Sequence, residues 1–136
     1  MRPSHGLGGW TLRADGIFLV MAGGFAMLTE TVGHFFGVGP LATTQDSPYT
    51  IGGFEAHGLA ILVGALLLRA AGRADRRLWH GVGLATHLLL GSANLLFWQS
   101  FLQQNLLGVG VVTTALHIIF VVAQAICLRG GRAGGA

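Results

Sequence analysis

Apolar residues along the chain fall into four long blocks that are separated by short polar links. The blocks cover about residues 16–37, 51–71, 78–101 and 106–128. Each is close to the roughly 20 residues that cross a hydrocarbon core of about 30 Å, and none shows the two-residue alternation of a strand. Backbone groups in lipid must hydrogen-bond within their own segment, as they do in a helix. The pattern predicts an all-α integral membrane protein, a single domain folded as an antiparallel four-helix bundle.

The basic residues predict how this bundle is oriented. All eight are arginines, and they lie before the first block, around the second link and after the fourth block, whereas the first and third links contain none. Four crossings bring those three segments to one face, which the positive-inside rule assigns to the cytoplasm. We therefore expect cytoplasmic termini in a bacterial-type inner or plasma membrane. The arginines are Arg2, Arg13, Arg69, Arg73, Arg76, Arg77, Arg129 and Arg132.

Composition supports the membrane interpretation and excludes one class of partner. The chain has 136 residues, of which 52% are hydrophobic and 10% charged, and its mean hydropathy is +0.66. These values lie outside the range of ordinary soluble domains. The isoelectric point near 10.5 would fit a nucleic-acid-binding protein. The arginines are better explained as topology signals and contacts with anionic lipids, so the expected partner is the lipid bilayer and not nucleic acid.

Polar residues inside the blocks recur at three- and four-residue steps together with glycines, which places them on one face of each helix. Polar side chains avoid lipid by facing the bundle interior, and small residues allow close helix packing. In the second helix, His57 shares its face with small residues, while Glu55 points about 200° away from it. Leu59, Leu66, Leu88 and Leu95 are expected to face lipid. The predicted polar interior comprises Glu30, His34, His57, His87, Asn94, His117 and Gln124.

Three of the histidines are expected to lie at one depth. Counting about 1.5 Å per residue from the nearest arginine places His57, His87 and His117 at roughly 15–18 Å from the cytoplasmic boundary. The same count places Glu30 and His34 about 8–15 Å nearer the opposite face. The three imidazoles are candidate ligands of a transition metal or of haem b.

Three functions fit this layer of histidines. The first is a redox-associated subunit or accessory protein that holds haem or a metal and works beside a membrane redox partner or as a homo-oligomer. The second is a channel, transporter or proton relay along the polar Glu and His axis. The third is a structural subunit in which these side chains only join helices. The sequence has no Walker loop, CxxCH, HExxH or CxxC motif, so no reaction is assigned.

The chain also resembles a known family. The segment LRADGIFLVMAGGFAML, the segment IGGFEAHGLAILVGALLLRAAG with its central Glu55, and a third helix bearing a histidine are similar to the DoxX-type small four-helix membrane proteins. Some members of that family are associated with respiratory or quinone-linked redox systems. The resemblance implies that Glu55 corresponds to the family's second-helix acid. The chain departs from the family in carrying Glu30 and His34 and in lacking the basic residue usual near that position.

Overall fold

The computed structural model describes residues 6–130, and over that range the chain folds entirely into helices, turns and short links. A single 3₁₀ turn, Ala42–Thr44, lies in the link between the first two helices. Arg2 and Arg132, two of the predicted topology signals, lie outside the described residues. The helices are α1 (Leu7–Phe36), α2 (Thr50–Ala70), α3 (Arg77–Leu96), α4 (Trp98–Gln103) and α5 (Leu107–Gly130).

The helix boundaries differ from the predicted blocks in two places. Helix α1 begins at Leu7 and not near residue 16, so Arg13 and Asp15 lie inside it. The third block is divided at Phe97, whose φ of −104° and ψ of 30° are not helical, and the short α4 follows. Helix α1 ends at Gly37, which has the left-handed φ of 61° and donates its N–H to the Gly33 carbonyl. This is a common way to close a helix C-terminus.

Three described helices, α1, α2 and α5, are long and apolar enough to cross a membrane. Helix α3 is long enough but less apolar, because His80, His87 and Asn94 lie along one of its faces. The chain is therefore all-helical and has the features of a membrane protein. The leucines predicted to face lipid, Leu59, Leu66, Leu88 and Leu95, are all exposed, which confirms that part of the pattern.

Helices α1 and α2 form one closely packed antiparallel pair. A Cβ atom added to Gly16 would lie 2.7 Å from the Gly64 carbonyl oxygen, and one added to Gly23 would lie 2.8 Å from the His57 carbonyl oxygen. The contacts run in opposite directions along the two helices. The glycines are therefore required for this backbone-to-backbone approach.

Helices α3 and α5 form the second antiparallel pair, and polar side chains meet across it in layers seven residues apart on α3. From one end to the other, His80 contacts Gln124, His87 contacts His117, and Asn94 contacts Thr113 and Thr114. A seven-residue period keeps one seam of two helices in register over several turns.

The ends of the helices define the two ends of the molecule. Helices α1 and α3 begin, and α2 and α5 finish, at what we call the arginine end. There Gly9 lies against the Arg76 guanidinium, and Cys127 donates a hydrogen bond to Thr11. A small apolar core lies near this end, formed mainly by Leu12, Leu19, Leu67, Ala70 and Ala71. The other end, with the 3₁₀ turn and α4, is called the arginine-free end.

Candidate functional site

A network of buried polar side chains joins α1 to the α3–α5 pair. The carboxylate of Asp15 is its centre and is completely buried. His87 Nε2 lies 2.7 Å from Asp15 Oδ1, and Gln124 Nε2 donates a hydrogen bond to Asp15 Oδ2. The amide oxygen of Gln124 faces His80 Nδ1 at 2.5 Å. We call Asp15, His80, His87, His117 and Gln124 the buried network.

The hydrogen bonds fix which atoms donate in this network. A carboxylate only accepts, so His87 Nε2 and Gln124 Nε2 both donate to Asp15. The Gln124 oxygen must then accept from His80 Nδ1. Each of these buried polar atoms has a partner, as a site inside an apolar protein requires.

Two imidazoles in the network contact each other directly. His87 Nδ1 lies 2.8 Å from His117 Nδ1, so one of these nitrogens carries the hydrogen and the other accepts it. Because His87 Nε2 also donates to Asp15, a neutral His87 must accept at Nδ1 from His117. A protonated His87 would instead donate at both nitrogens. The protonation states of the two rings are therefore coupled through one hydrogen bond.

A glycine leaves space for the buried network, and aromatic side chains cover it with apolar surface. A Cβ atom on Gly83 would lie 2.6 Å from Gln124 Nε2 and 2.9 Å from Asp15 Oδ2, so only glycine leaves room here. Phe120 stacks on His87 with ring centroids 4.8 Å apart, and Phe18 meets the His117 ring edge-on at 5.7 Å. The aromatic rings surround the imidazoles with apolar surface and strengthen the electrostatic interactions among them.

A second carboxylate and imidazole pair lies in the other half of the molecule. His57 Nδ1 is 3.0 Å from Glu30 Oε2, and the two side chains are 36% and 13% exposed. Glu30 also lies against Gly53, where a larger residue would collide with the carboxylate. We call Glu30 and His57 the outer pair.

His57, which was predicted to share a layer with His87 and His117, contacts Glu30, whereas His87 and His117 contact each other. Side chains on a helix lean toward its N-terminus. His57 therefore leans toward the arginine-free end, where α2 begins. Glu30 lies on α1, which runs in the opposite direction, so its side chain leans toward the arginine end and toward His57. The two meet at one level, although counting residues placed them at different depths. A count of residues gives the depth of each Cα atom along the helix axis, and it does not include the direction in which the side chain leans.

The positions of the described histidines do not match what a metal ion or a haem would require of its ligands. Within residues 6–130, no group of three or more His, Cys, Asp or Glu side chains is placed to hold a metal ion. His87 and His117 do converge, but their nitrogens are at direct hydrogen-bonding distance. Ligand bonds of about 2 Å on opposite faces of an iron would hold two axial nitrogens about 4 Å apart. Phe18 and Phe120 line these rings, so the arrangement does not fit an intervening macrocycle.

Asn94 and His34, which were also predicted to face the bundle interior, belong neither to the buried network nor to the outer pair. Asn94 donates to the hydroxyls of Thr113 and Thr114 at 3.1 and 3.2 Å, one layer beyond His87. His34 lines an apolar cavity of about 490 Å³ near the arginine-free end. Its buried Nδ1 has no hydrogen-bond partner in the part of the chain that is described. Glu55 is exposed, as its angle from His57 predicts, and it lies outside both polar groups.

Sequence reasoning missed Asp15, the carboxylate that joins His87 to Gln124 in the buried network. The first apolar block was predicted to begin at about residue 16, immediately after Asp15. A signal was nevertheless available. Asp15 lies on the same helical face as Leu12 and Leu19, at three- and four-residue steps, and both leucines are buried.

Comparison with known proteins adds no relative. No protein family, no curated protein and no solved structure matches this chain significantly. The candidate function therefore depends on the geometry described above.

Proposed function

We propose that this chain is a small multi-pass membrane protein that relays protons along the buried network. The observation that carries this proposal is the direct chain of three titratable side chains, Asp15, His87 and His117, buried among apolar helices. Ionisable groups inside a membrane domain are costly and mark proton or solute pathways more often than they serve packing alone.

The chemistry of the chain supports a relay in a specific way. Each imidazole can accept a proton at one nitrogen and release one from the other. A proton arriving at His117 Nε2 lets Nδ1 pass its own proton to His87, whose Nε2 proton moves to Asp15. Among the described residues, no hydrogen bond occupies His117 Nε2. Asp15 then holds the proton until it is released to water at the arginine end, because the Gln124 amide nitrogen, which donates to Asp15 Oδ2, cannot accept it.

The length of the network supports relay over part of the membrane. Along α3, His80 and His87 are seven residues apart, which corresponds to about 10 Å of helix. Asn94 lies a further step of the same length along α3, where its amide bonds α3 to α5 but carries no proton of the relay. Beyond it the outer pair lies next to a cavity at the arginine-free end.

The proposal includes the architecture in which the relay operates. We place α1, α2, α3 and α5 as four crossings of a bacterial-type inner or plasma membrane, with the arginine end in the cytoplasm. We include α3 among the membrane crossings because its polar face is covered by α5 and α1. A reporter fused after Ala136, beyond the described residues, should then be cytoplasmic, and one inserted near Asp46 external. The opposite result would reverse the direction of the relay.

The decisive experiment measures proton flux in liposomes that contain the purified protein and an internal pH-sensitive dye. A potassium diffusion potential drives the flux. We expect protein-dependent acidification or alkalinisation that His87→Gln and His117→Gln reduce at least about tenfold, since glutamine cannot take up and release a proton as imidazole does. Flux no greater than in empty liposomes would refute the proposal.

A matched control separates proton transfer from packing. Asn94→Ala removes hydrogen bonds from the neighbouring layer of the same α3–α5 seam and leaves the three titratable groups in place. It should leave flux close to that of the unaltered protein. An absorption spectrum and metal analysis of the same preparation test the redox alternative, including the DoxX resemblance. A Soret band that disappears in His87→Ala would favour haem binding over the relay.

A further inference from the structure

A polar cavity of about 520 Å³ opens at the arginine-free end, apart from the buried network. Its walls come from α1, the link with the 3₁₀ turn, the start of α2 and the end of α4. This volume is within the range of small-molecule sites. The lining includes Glu30, Thr44, Tyr49, Gly53, Gln103 and Gln104.

Charge determines which ligand this cavity would take. Among the described residues, Glu30 is the only carboxylate in the lining, and no arginine or lysine contributes to it. The sequence has no basic residue other than histidine from residue 14 to 68 or from residue 78 to 128. Asp46 adds negative charge near the same end. The local field therefore attracts cations and repels anions.

The atoms available in the cavity refine the ligand class. Glu30 Oε2 is engaged by His57, while in the described part of the chain no hydrogen bond reaches Oε1. Thr44, Gln103 and Gln104 line the same cavity and carry hydroxyl or amide oxygens that can accept further hydrogen bonds. A primary ammonium group has three donors and would satisfy this arrangement. The exposed ring of Tyr49 offers a cation–π contact at the entrance.

We propose that this cavity binds a primary organic amine, with its ammonium group on Glu30 Oε1 and its remaining donors on the threonine and glutamine oxygens. His57 positions the carboxylate by holding Oε2. This inference does not depend on the proton relay. Binding is tested at Glu30 and relay at His87, so the failure of one leaves the other intact.

Isothermal titration of the full chain in detergent micelles, with ethanolamine as the probe, tests the proposal. Glu30→Gln should weaken binding at least about tenfold, because it removes the charged acceptor. Glu55→Gln removes an exposed acid on α2 that does not line the cavity, and it should bind as the unaltered protein does. Equal loss in both variants would show diffuse surface attraction and overturn the site.

Two further measurements keep the proposal testable if Glu30→Gln fails to fold. Ser100→Trp places a large side chain in the cavity from α4 and leaves Glu30 and His57 unsubstituted, and it should abolish binding; retained binding would contradict the site. Tetramethylammonium has the charge but no N–H donor, so it should bind more weakly than ethanolamine. Equal affinity would overturn the hydrogen-bonded ammonium.

Nanodiscs identify the source of the amine. Ethanolamine should bind in phosphatidylcholine discs. Weaker apparent binding in discs that also contain phosphatidylethanolamine would assign the site to the lipid headgroup, and unchanged binding would assign it to a soluble amine. Binding in neither kind of disc would overturn the proposal for the membrane-embedded protein.

Discussion

The molecule contains two carboxylate–imidazole pairs in different surroundings. Asp15 and His87 are 0% exposed, and 2.7 Å separates Asp15 Oδ1 from His87 Nε2. The two residues also form hydrogen bonds with Gln124 and His117, respectively. Glu30 and His57 are 13% and 36% exposed, are separated by 3.0 Å, and join only α1 to α2. The first pair links α1 to the α3–α5 pair of helices, whereas the second adds to an interface that glycines already bring together.

This difference shows how one type of pair serves two purposes. A buried pair with every atom bonded resists disruption, because removing one member leaves a polar group without water or a partner. A partly exposed pair can exchange partners with water or a ligand at little cost. We therefore assign transfer between fixed groups to the buried network and ligand binding to the outer pair.

The largest expected effect comes from Asp15→Ala. It leaves the donors at His87 Nε2 and Gln124 Nε2 unpaired, and each such loss costs about 1–3 kcal/mol, so we expect a decrease of roughly 3 kcal/mol in the free energy of unfolding. Titration with denaturing detergent measures it. Asp75→Ala, in the exposed link between α2 and α3, is the control and should change little. A small effect at Asp15 would show that the network does not join the helices.

Gly83→Ala tests the space around the same network. The added Cβ would lie 2.6 Å from Gln124 Nε2, so the side chains must shift, at a cost of about 1–3 kcal/mol. Gly81→Ala is a close control on the same helix, because nothing lies within 4 Å of its added Cβ. It should stabilise α3 by up to about 1 kcal/mol through helix propensity. Thermal unfolding of the two variants should therefore shift in opposite directions.

Much of the fold follows from the sequence, because hydrophobic length and the spacing of polar residues are local properties. The all-helical class was predicted from the length of the apolar blocks, and the exposed leucines and the inward faces of α3 and α5 from steps of three and four residues. His87, His117, Asn94 and Gln124 all lie where those steps place them. Periodicity identifies a buried face without reference to the rest of the chain.

Partner choice does not follow from local pattern. Residue counts could not show that His57 pairs with Glu30, since that depends on the opposite lean of side chains on antiparallel helices. Likewise, hydropathy treats Asp15 as a helix boundary, because its partners at His87 and Gln124 are far away in sequence. Phe97, where the third block divides, has no proline or glycine beside it that would have signalled the break.

The smallest effect is expected for the outer pair, and double-mutant cycles compare it directly with the buried one. Combining Glu30→Gln with His57→Ala should give a coupling energy of about 0.6 kcal/mol, the average for hydrogen bonds between membrane helices. Combining Asp15→Asn with His87→Ala should give a larger value, toward the maximum of about 1.7 kcal/mol measured for such bonds, because neither group has access to water. Unfolding in mixed micelles provides all the required free energies. Equal couplings would mean that exposure does not distinguish the two pairs, and the division of roles between relay and ligand binding would lose its energetic basis.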